Sequence, residues 1–403
     1  MGTRSSDRTR SLVLDRIRAL GTASRVELAE QTGLTDATIS HIVRQMIVDG
    51  LVVESGFGES TGGKRRTLLE IDGAARSAVG VSLARDRIAI VLTDLAGAVI
   101  GRRVIDGAQD EHPEEVLRRI SGAVDRVVAE HDVARERLVG IGIAGPGPLD
   151  TRTGTLRGRQ PSEQWNGYPL EERAEHLTGS RVLIDNDATC VALGEHWTRR
   201  RTDPAAVEAT VFVGEGVGCG ILIEGRVFHG ATSNAGEIGH ISLDVAGPSC
   251  HCGSRGCVEV YAAPSAIVSK AIELGQGDRW GRSAREASLS AYGRIARAAT
   301  RGDADAEALL RDAAAALGRG VIALANVLDL DEVTLSGPAF VDAGRIWRDE
   351  VQEQVDRGTF MRAIHPVRVV LSTLGVDAAA IGAAALILQE QMTPHSSSPS
   401  RRR

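Results

Sequence analysis

Three of the chain's five cysteines fall within eight residues, as Cys250-x-Cys252-x4-Cys257, and His240 stands ten positions before the first of them. Thiolates and imidazole nitrogens are the donors a borderline-soft ion prefers, and three sulfurs with one nitrogen complete a tetrahedron. The spacing, with glycines at 253 and 256 to turn the loop tightly, predicts one structural zinc site made of His240, Cys250, Cys252 and Cys257. Glu237 and Glu259 flank the ligands, so a metal knot here would hold two carboxylates toward one cavity. Three buried cysteines beside an unrelated histidine are the plainer alternative, and the unusual spacing weighs against it.

Length and composition bound the rest. A chain of 403 residues with 42% hydrophobic residues suggests two or three domains with a sizeable core. No apolar run approaches a membrane span, and the start, with Arg4, Arg8 and Arg10 among serines, has no apolar signal segment. A cytoplasmic protein with no membrane partner is expected. In a reducing compartment cysteines serve as ligands more often than as disulfides, and Cys190 and Cys219 read as packing residues. The net charge of −6 argues against a protein coated with cations for nucleic acid. Residues 1–73 hold ten Lys/Arg and ten Asp/Glu, so any DNA contact there must come from local basic points.

Residues 1–9 are expected as a disordered arm. Leu12, Ile17 and Leu20 then fall near one helical face. Ser24-x-x-Glu27 is a capping box opening a second helix, Val26 to Gln31, and Gly33 is placed to end it. Thr35 caps a third, Asp36 to Val48, striped by Ile39, Ile42, Val43, Met46 and Ile47. Its outward face carries Asp36, Ala37, Thr38, Ser40, His41 and Arg44. With Thr35, these are the residues predicted to reach bases and phosphates. A solvated face of a small bundle is the alternative. Against it stands the hairpin that follows, Leu51–Ser55 and Thr67–Ile71, with Lys64, Arg65 and Arg66 near its tip. Helices plus wing predict a winged helix-turn-helix over residues 10–72.

After a linker at 73–77 the pattern becomes strands with intervening helices, an α/β arrangement. Buried strands are expected at Val79–Leu83, Arg87–Asp94, Leu138–Ile143 and Val182–Asp187, and a strand pair around Gly214–Gly220. Residues 275–290 read as an exposed excursion, and 392–403 as a disordered tail.

The stretches Asn234-Ala-Gly-Glu-Ile-Gly-His240 and Cys250-x-Cys-Gly-x-x-Gly-Cys-x-Glu259 resemble the signatures of the ROK family of repressors, open reading frames and sugar kinases. The run Thr35-Asp-Ala-Thr-Ile-Ser40 resembles the start of recognition helices in its repressors. The resemblance implies that residues 78–391 adopt the family's two-lobed, actin-like sugar-kinase fold, with a ligand cleft between lobes, behind the winged helix-turn-helix. It also implies that Asn186, Asp187, Glu237, His240 and Glu259 fall on sugar-contacting positions. By themselves, Asn186 and Asp187 read better as a strand-end turn or helix cap.

In the family's kinases, the position of Asp187 is the general base. The phosphate side departs from that pattern. Where kinases show Gly-x-Asp-x-Gly-Gly-Thr, this chain has Gly80-Val-Ser-Leu-Ala-Arg-Asp86. Where they show Gly-Thr-Gly-x-Gly-x-Gly, it has Gly214-Glu-Gly-Val-Gly-Cys-Gly220. Glu215 sets an anion against phosphate, a repulsion of several kcal/mol at roughly 4 Å in a partly buried site. No ATP binding is expected.

The reading is a sugar-responsive repressor of carbohydrate-utilisation genes, a homodimer or tetramer on a pseudo-palindromic operator, with a small sugar or sugar derivative as effector. Its alternatives are an ATP-dependent sugar kinase with an appended DNA-binding domain, and a regulator with a vestigial cleft and a protein effector.

Overall fold

The computed structural model describes residues 2–58, 65–158, 160–199, 205–280 and 289–392, with side chains placed from residue 9 to 390 within those spans. Contacts divide the chain into two units. One contains residues up to 190, then 196–204 and 379 onward; the other contains 191–195 and 205–378.

The first unit begins with three helices, Gly2–Leu20, Arg25–Thr32 and Asp36–Val48. Residues 2–9, expected as a loose arm, belong to the first helix. Val13, Leu14 and Ile17 are wholly buried, and a helix nucleated on that face extends backward at little cost. The capping box forms in both directions: Glu27 N donates to Ser24 Oγ at 3.3 Å, and Ser24 N donates to Glu27 Oε2 at 2.7 Å. Gly33 ends the second helix at φ 67°, a left-handed conformation that costs glycine nothing. Val52–Phe57 and Thr67–Ile71 pair antiparallel. A two-residue strand, Ala23–Ser24, joins the far side of Thr67–Ile71, giving the arrangement of a winged helix. Lys64 lies outside the described residues.

A five-stranded sheet follows in the order Val182–Asn186, Leu138–Gly145, Ser77–Ser82, Arg87–Asp94, Val99–Asp106. The first three strands run parallel, and the last two continue antiparallel. Gly80 and Gly142 sit on neighbouring strands beneath the closing helix Ala378–Met392. A Cβ at either would collide with the backbone of Ala380 or Ala383. The two glycines are therefore there to let an alanine-rich helix lie directly on the sheet. Of the expected tail, 392–403, Met392 ends this helix, and residues 393–403 lie outside the described residues.

The second unit holds another five-stranded sheet, ordered Arg226–Val227, Val217–Ile223, Val207–Val213, Glu332–Ser336, Arg368–Leu371. It packs with the helices Pro264–Glu273, Leu289–Thr300, Ala304–Leu328 and Gly344–Gly358 around one core. Wholly buried Trp347 donates to Tyr292 Oη at 2.9 Å, and Tyr292 donates to the Ala339 carbonyl at 2.6 Å. The expected excursion over 275–290 is in part structured. Residues Gly277–Trp280 form a helical turn and bury Trp280, whose indole is more favourably packed than solvated; 281–288 lie outside the described residues.

Candidate functional site

The cysteine loop is held by its own backbone. Cys250 N donates to Ser254 O and Gly253 N to Cys250 O, while Gly253 and Gly256 take φ of 94° and 61°. A Cβ at Gly256 would run into the Asp244 carbonyl, so glycine is required there twice over. Bridges Ser242–Cys257 and Ser249–Arg255 close the two sides. His240 ends the short turn Ile238–His240 and faces the loop with Nδ1.

The donors of His240, Cys250, Cys252 and Cys257 lie within 4.8 Å of one another. Cys252 Sγ is 3.7 Å from Cys257 Sγ, and Cys250 Sγ is 3.6 Å from His240 Nδ1. Tetrahedral zinc with Zn–S near 2.3 Å and Zn–N near 2.0–2.1 Å places sulfurs about 3.7–3.8 Å apart and sulfur to nitrogen about 3.6 Å apart. A disulfide would need sulfurs at about 2.05 Å. The four side chains thus have the donor chemistry and the spacing of a four-coordinate thiolate site. Burial, with Cys250 and Cys252 beside it, pushes the Cys257 thiol up to about 12. A bound cation is what would make that thiolate favourable. Cys190 and Cys219 are buried and stand outside the four-donor set, and burial drives both thiols up, as packing residues.

Three predicted sugar residues of this unit gather at the loop. Glu259 opens the short helix Glu259–Ala262. Its Oε2 accepts the Val217 amide at 3.0 Å, and its Oε1 lies 3.3 Å from His251 Nδ1. Burial, and then the Glu259 charge, raise the Glu237 carboxyl above the usual range, with His240 and His251 opposing. His251, which the ligand spacing does not single out, packs edge-on to His240 with ring centroids 5.0 Å apart. Its Nδ1 also lies 3.9 Å from Cys250 Sγ, so the ring borders the thiols as well as the Glu259 carboxylate; a histidine between two cysteines of the loop was the available signal.

Asn186 and Asp187 belong to the first unit, where a strand passes directly into the helix Asp187–Thr198. Asn186 Oδ1 accepts from Ala188 N at 2.9 Å and Thr189 N at 3.3 Å, and Asp187 Oδ1 accepts from Ala188 N at 2.7 Å. The cap role is therefore real, and it fixes both side chains at the carboxyl end of a parallel strand, where α/β sheets present ligands.

The stretches 80–86 and 214–220 are also engaged. Arg85 makes a two-pronged ion pair with Asp110, both contacts at 3.0 Å, and donates to the Pro161 carbonyl at 3.0 Å. In the second stretch, the Val217 amide is the one given to Glu259, and Glu215 is exposed.

On the third helix, Thr35, Asp36, Ala37, His41 and Arg44 are exposed, with Thr38 and Ser40 half-buried. Thr35 Oγ1 accepts the Thr38 amide at 3.3 Å and lies 2.9 Å from the Thr38 hydroxyl. Arg65 and Arg66 are exposed where the hairpin returns.

The ROK family model matches residues 78–390. The chain is 29% identical to the xylose repressor of Caldicellulosiruptor bescii, covering 92% of each protein. It is 28% identical to the DNA-binding transcriptional dual regulator NagC of Escherichia coli strain K12, covering 91% of this chain and 89% of that one. Among solved structures, a ROK family transcriptional regulator described as a homolog of the E. coli MLC protein superposes with a TM-score of 0.73 at 24% identity, covering 95% and 97% of the two chains.

Proposed function

This chain is a member of the ROK family, and from that premise we propose that it is a sugar-responsive transcriptional repressor, without useful kinase activity, that leaves its operator when a sugar binds. The observation that carries the reading is the coexistence in one chain of a helix-and-hairpin head presenting Thr35, Asp36, Ala37, Thr38, Ser40, His41, Arg44, Arg65 and Arg66 with a ROK family domain whose Asn186, Asp187, Glu237, His240 and Glu259 the resemblance implies to be sugar-contacting. Lys64, outside the described residues, belongs to the same proposed DNA-contacting set. Its relatives over nine-tenths of its length carry repressor and regulator names.

The proposed sugar contacts are Asn186, Asp187, Glu237, His240 and Glu259, whose carboxylates, amide and imidazole complement hydroxyls that both donate and accept. Zinc, held by His240, Cys250, Cys252 and Cys257, would supply rigidity and no reaction chemistry. Its loop carries Glu237, His240 and Glu259 as one piece. Two copies would set two third helices on a pseudo-palindromic operator, and sugar would shift their spacing away from the half-sites.

Phosphotransfer is disfavoured by specific contacts. The Arg85 side chain, tied to Asp110, stands where a kinase has glycine, and the Val217 amide that could face a phosphate already serves a carboxylate. The decisive experiment is fluorescence anisotropy of the zinc-loaded protein on the DNA upstream of its own gene, titrated with D-xylose, N-acetyl-D-glucosamine and other sugars. Release by one sugar supports the reading. Binding that no sugar relieves removes the sugar effector, and ADP release with any of these sugars would restore the kinase alternative.

A further inference from the structure

Apart from the residues already assigned, a deeply buried ionic cluster of the first unit joins its two parts. The first helix, Gly2–Leu20, turns Val13, Leu14 and Ile17 into the three-helix head and a second face toward the end of the helix Asp187–Thr198. Arg18 leads that face, its side chain only 3% exposed. It donates through Nε and Nη2 to Asp15 Oδ1, at 3.1 and 2.6 Å. Its Nη1 donates to the carbonyls of His196, at 3.2 Å, and Trp197. The guanidinium carbon lies 4.8 Å from the centre of the Trp197 ring, and His196 Nε2 lies 3.8 Å from the same Asp15 oxygen. Trp197 in turn packs on Gly97, where any Cβ would strike the indole. Burial pushes the Asp15 carboxyl up, but the nearby His196 ring and the Arg18 fork and charge outweigh it and hold the group well below the ordinary range.

The clasped helix is the one that starts at Asn186 and Asp187. Its amino end is capped by Asn186; its last carbonyls are capped by a cation from the head, the favourable sign at that terminus. Twelve residues span about 18 Å. Val191, Ala192 and Leu193 between the ends are about 1% exposed or less, so the helix has little room to bend and moves as a rod.

We propose that the Asp15–Arg18–His196–Trp197 clasp is the contact through which occupancy at Asn186 and Asp187 sets the position of the DNA-contacting helices. The inference rests on the repressor reading above and names how that repressor is switched. A rod displaced along its axis carries its terminal carbonyls away from Nη1. A guanidinium held by stacking, a fork to one carboxylate and two carbonyls has no intermediate arrangement of equal quality, so the clasp is either made or broken. Arg18 and its partners position the head and touch neither sugar nor DNA.

The test uses the full zinc-loaded chain, its own upstream DNA, and D-xylose, D-glucose and N-acetyl-D-glucosamine as probes. DNA affinity is read by anisotropy, sugar affinity by calorimetry, and the helix by hydrogen–deuterium exchange. In the wild type a sugar lowers DNA affinity by a factor in the usual range of about 5–150. In Arg18→Gln sugar affinity holds, the factor falls to about 2 or less, and the DNA-induced change in exchange over residues 187–198 disappears. Arg18→Lys, which keeps the cation and loses the fork, falls between. If Arg18→Gln fails to fold around an unpaired Asp15, Asp15→Asn/Arg18→Gln removes both charges and takes its place. A variant that releases DNA as the wild type does overturns the clasp and leaves the repressor standing. A wild type that binds DNA but no sugar overturns the effector reading, and the exchange change over 187–198 still decides the clasp. A wild type that binds no DNA overturns both.

Discussion

His240 and Cys257 are each tied to more than the proposed metal. Cys257 sits on a bridge to Ser242 while its sulfur is buried among two others, so its ionised form has no support without a cation. Cys257→Ser is expected to abolish zinc, read by elemental analysis, and to weaken sugar binding with it, because Glu237, His240 and Glu259 would lose their common support. Retained sugar affinity in the metal-free protein would refute that role. His251 separates the two functions. It touches Glu259 and His240 but is no part of the four-donor set. His251→Ala should keep one zinc per chain and lower sugar affinity about 10-fold, the scale on which outer partners tune a site.

Among elements, the two-way capping box of the second helix is the clearest local device. Ser24 is buried, so Ser24→Ala leaves the Glu27 amide without its partner. The loss is expected at about 1 kcal/mol in a denaturant midpoint, within the 0.5–2 range of such caps. The helices Pro113–Glu130 and Leu170–Thr178 are joined by another polar knot, in which Glu114 accepts from Arg173 and from Tyr168 Oη. The Arg173 hydrogen bond, then that of Tyr168, lowers the Glu114 carboxyl from 4.5 to about 2. A depressed carboxyl contributes stability that is complete above its unfolded value and fades as pH falls from there toward about 2. Thermal melts of Glu114→Gln against wild type should therefore converge as pH drops through that window, and a constant difference would contradict the assignment. Such elements also mark what could be read from the chain. Capping boxes, apolar stripes and the cysteine spacing are short-range signals, and helix, hairpin and metal loop follow them. Gly80, which aligns with the first glycine of the kinases' phosphate stretch, is emptied for Ala380, three hundred residues on. Arg18, Gly142 and the two-residue strand Ala23–Ser24 are likewise defined by partners far along the chain, and nothing within a helical or strand period announces them.

For the molecule as a whole, the balance of charge decides how it can meet DNA. The chain carries −6, and the head is neutral, with Arg10, Arg18 and Arg25 committed to Asp49, Asp15 and Glu54. Attraction to the duplex must then come from a few exposed cations, Arg44, Arg65 and Arg66 among the described residues, and binding should be specific in place more than strong in field. Counterion release makes this countable, since each phosphate neutralised on B-DNA contributes about 0.9 to the slope of log affinity against log salt. Arg65→Ala should flatten that slope by about 0.9 if one head is engaged and by about 1.8 if two heads sit on the operator. Anisotropy titrations across a salt series thus report the number of chains on the DNA without assuming it. A change near 1.8 agrees with a two-fold dimer on a pseudo-palindrome. A change near 0.9 would leave a single head bound and remove half-site spacing as the quantity the sugar controls. No change at all would take the hairpin off the phosphates and leave the third helix to bind alone.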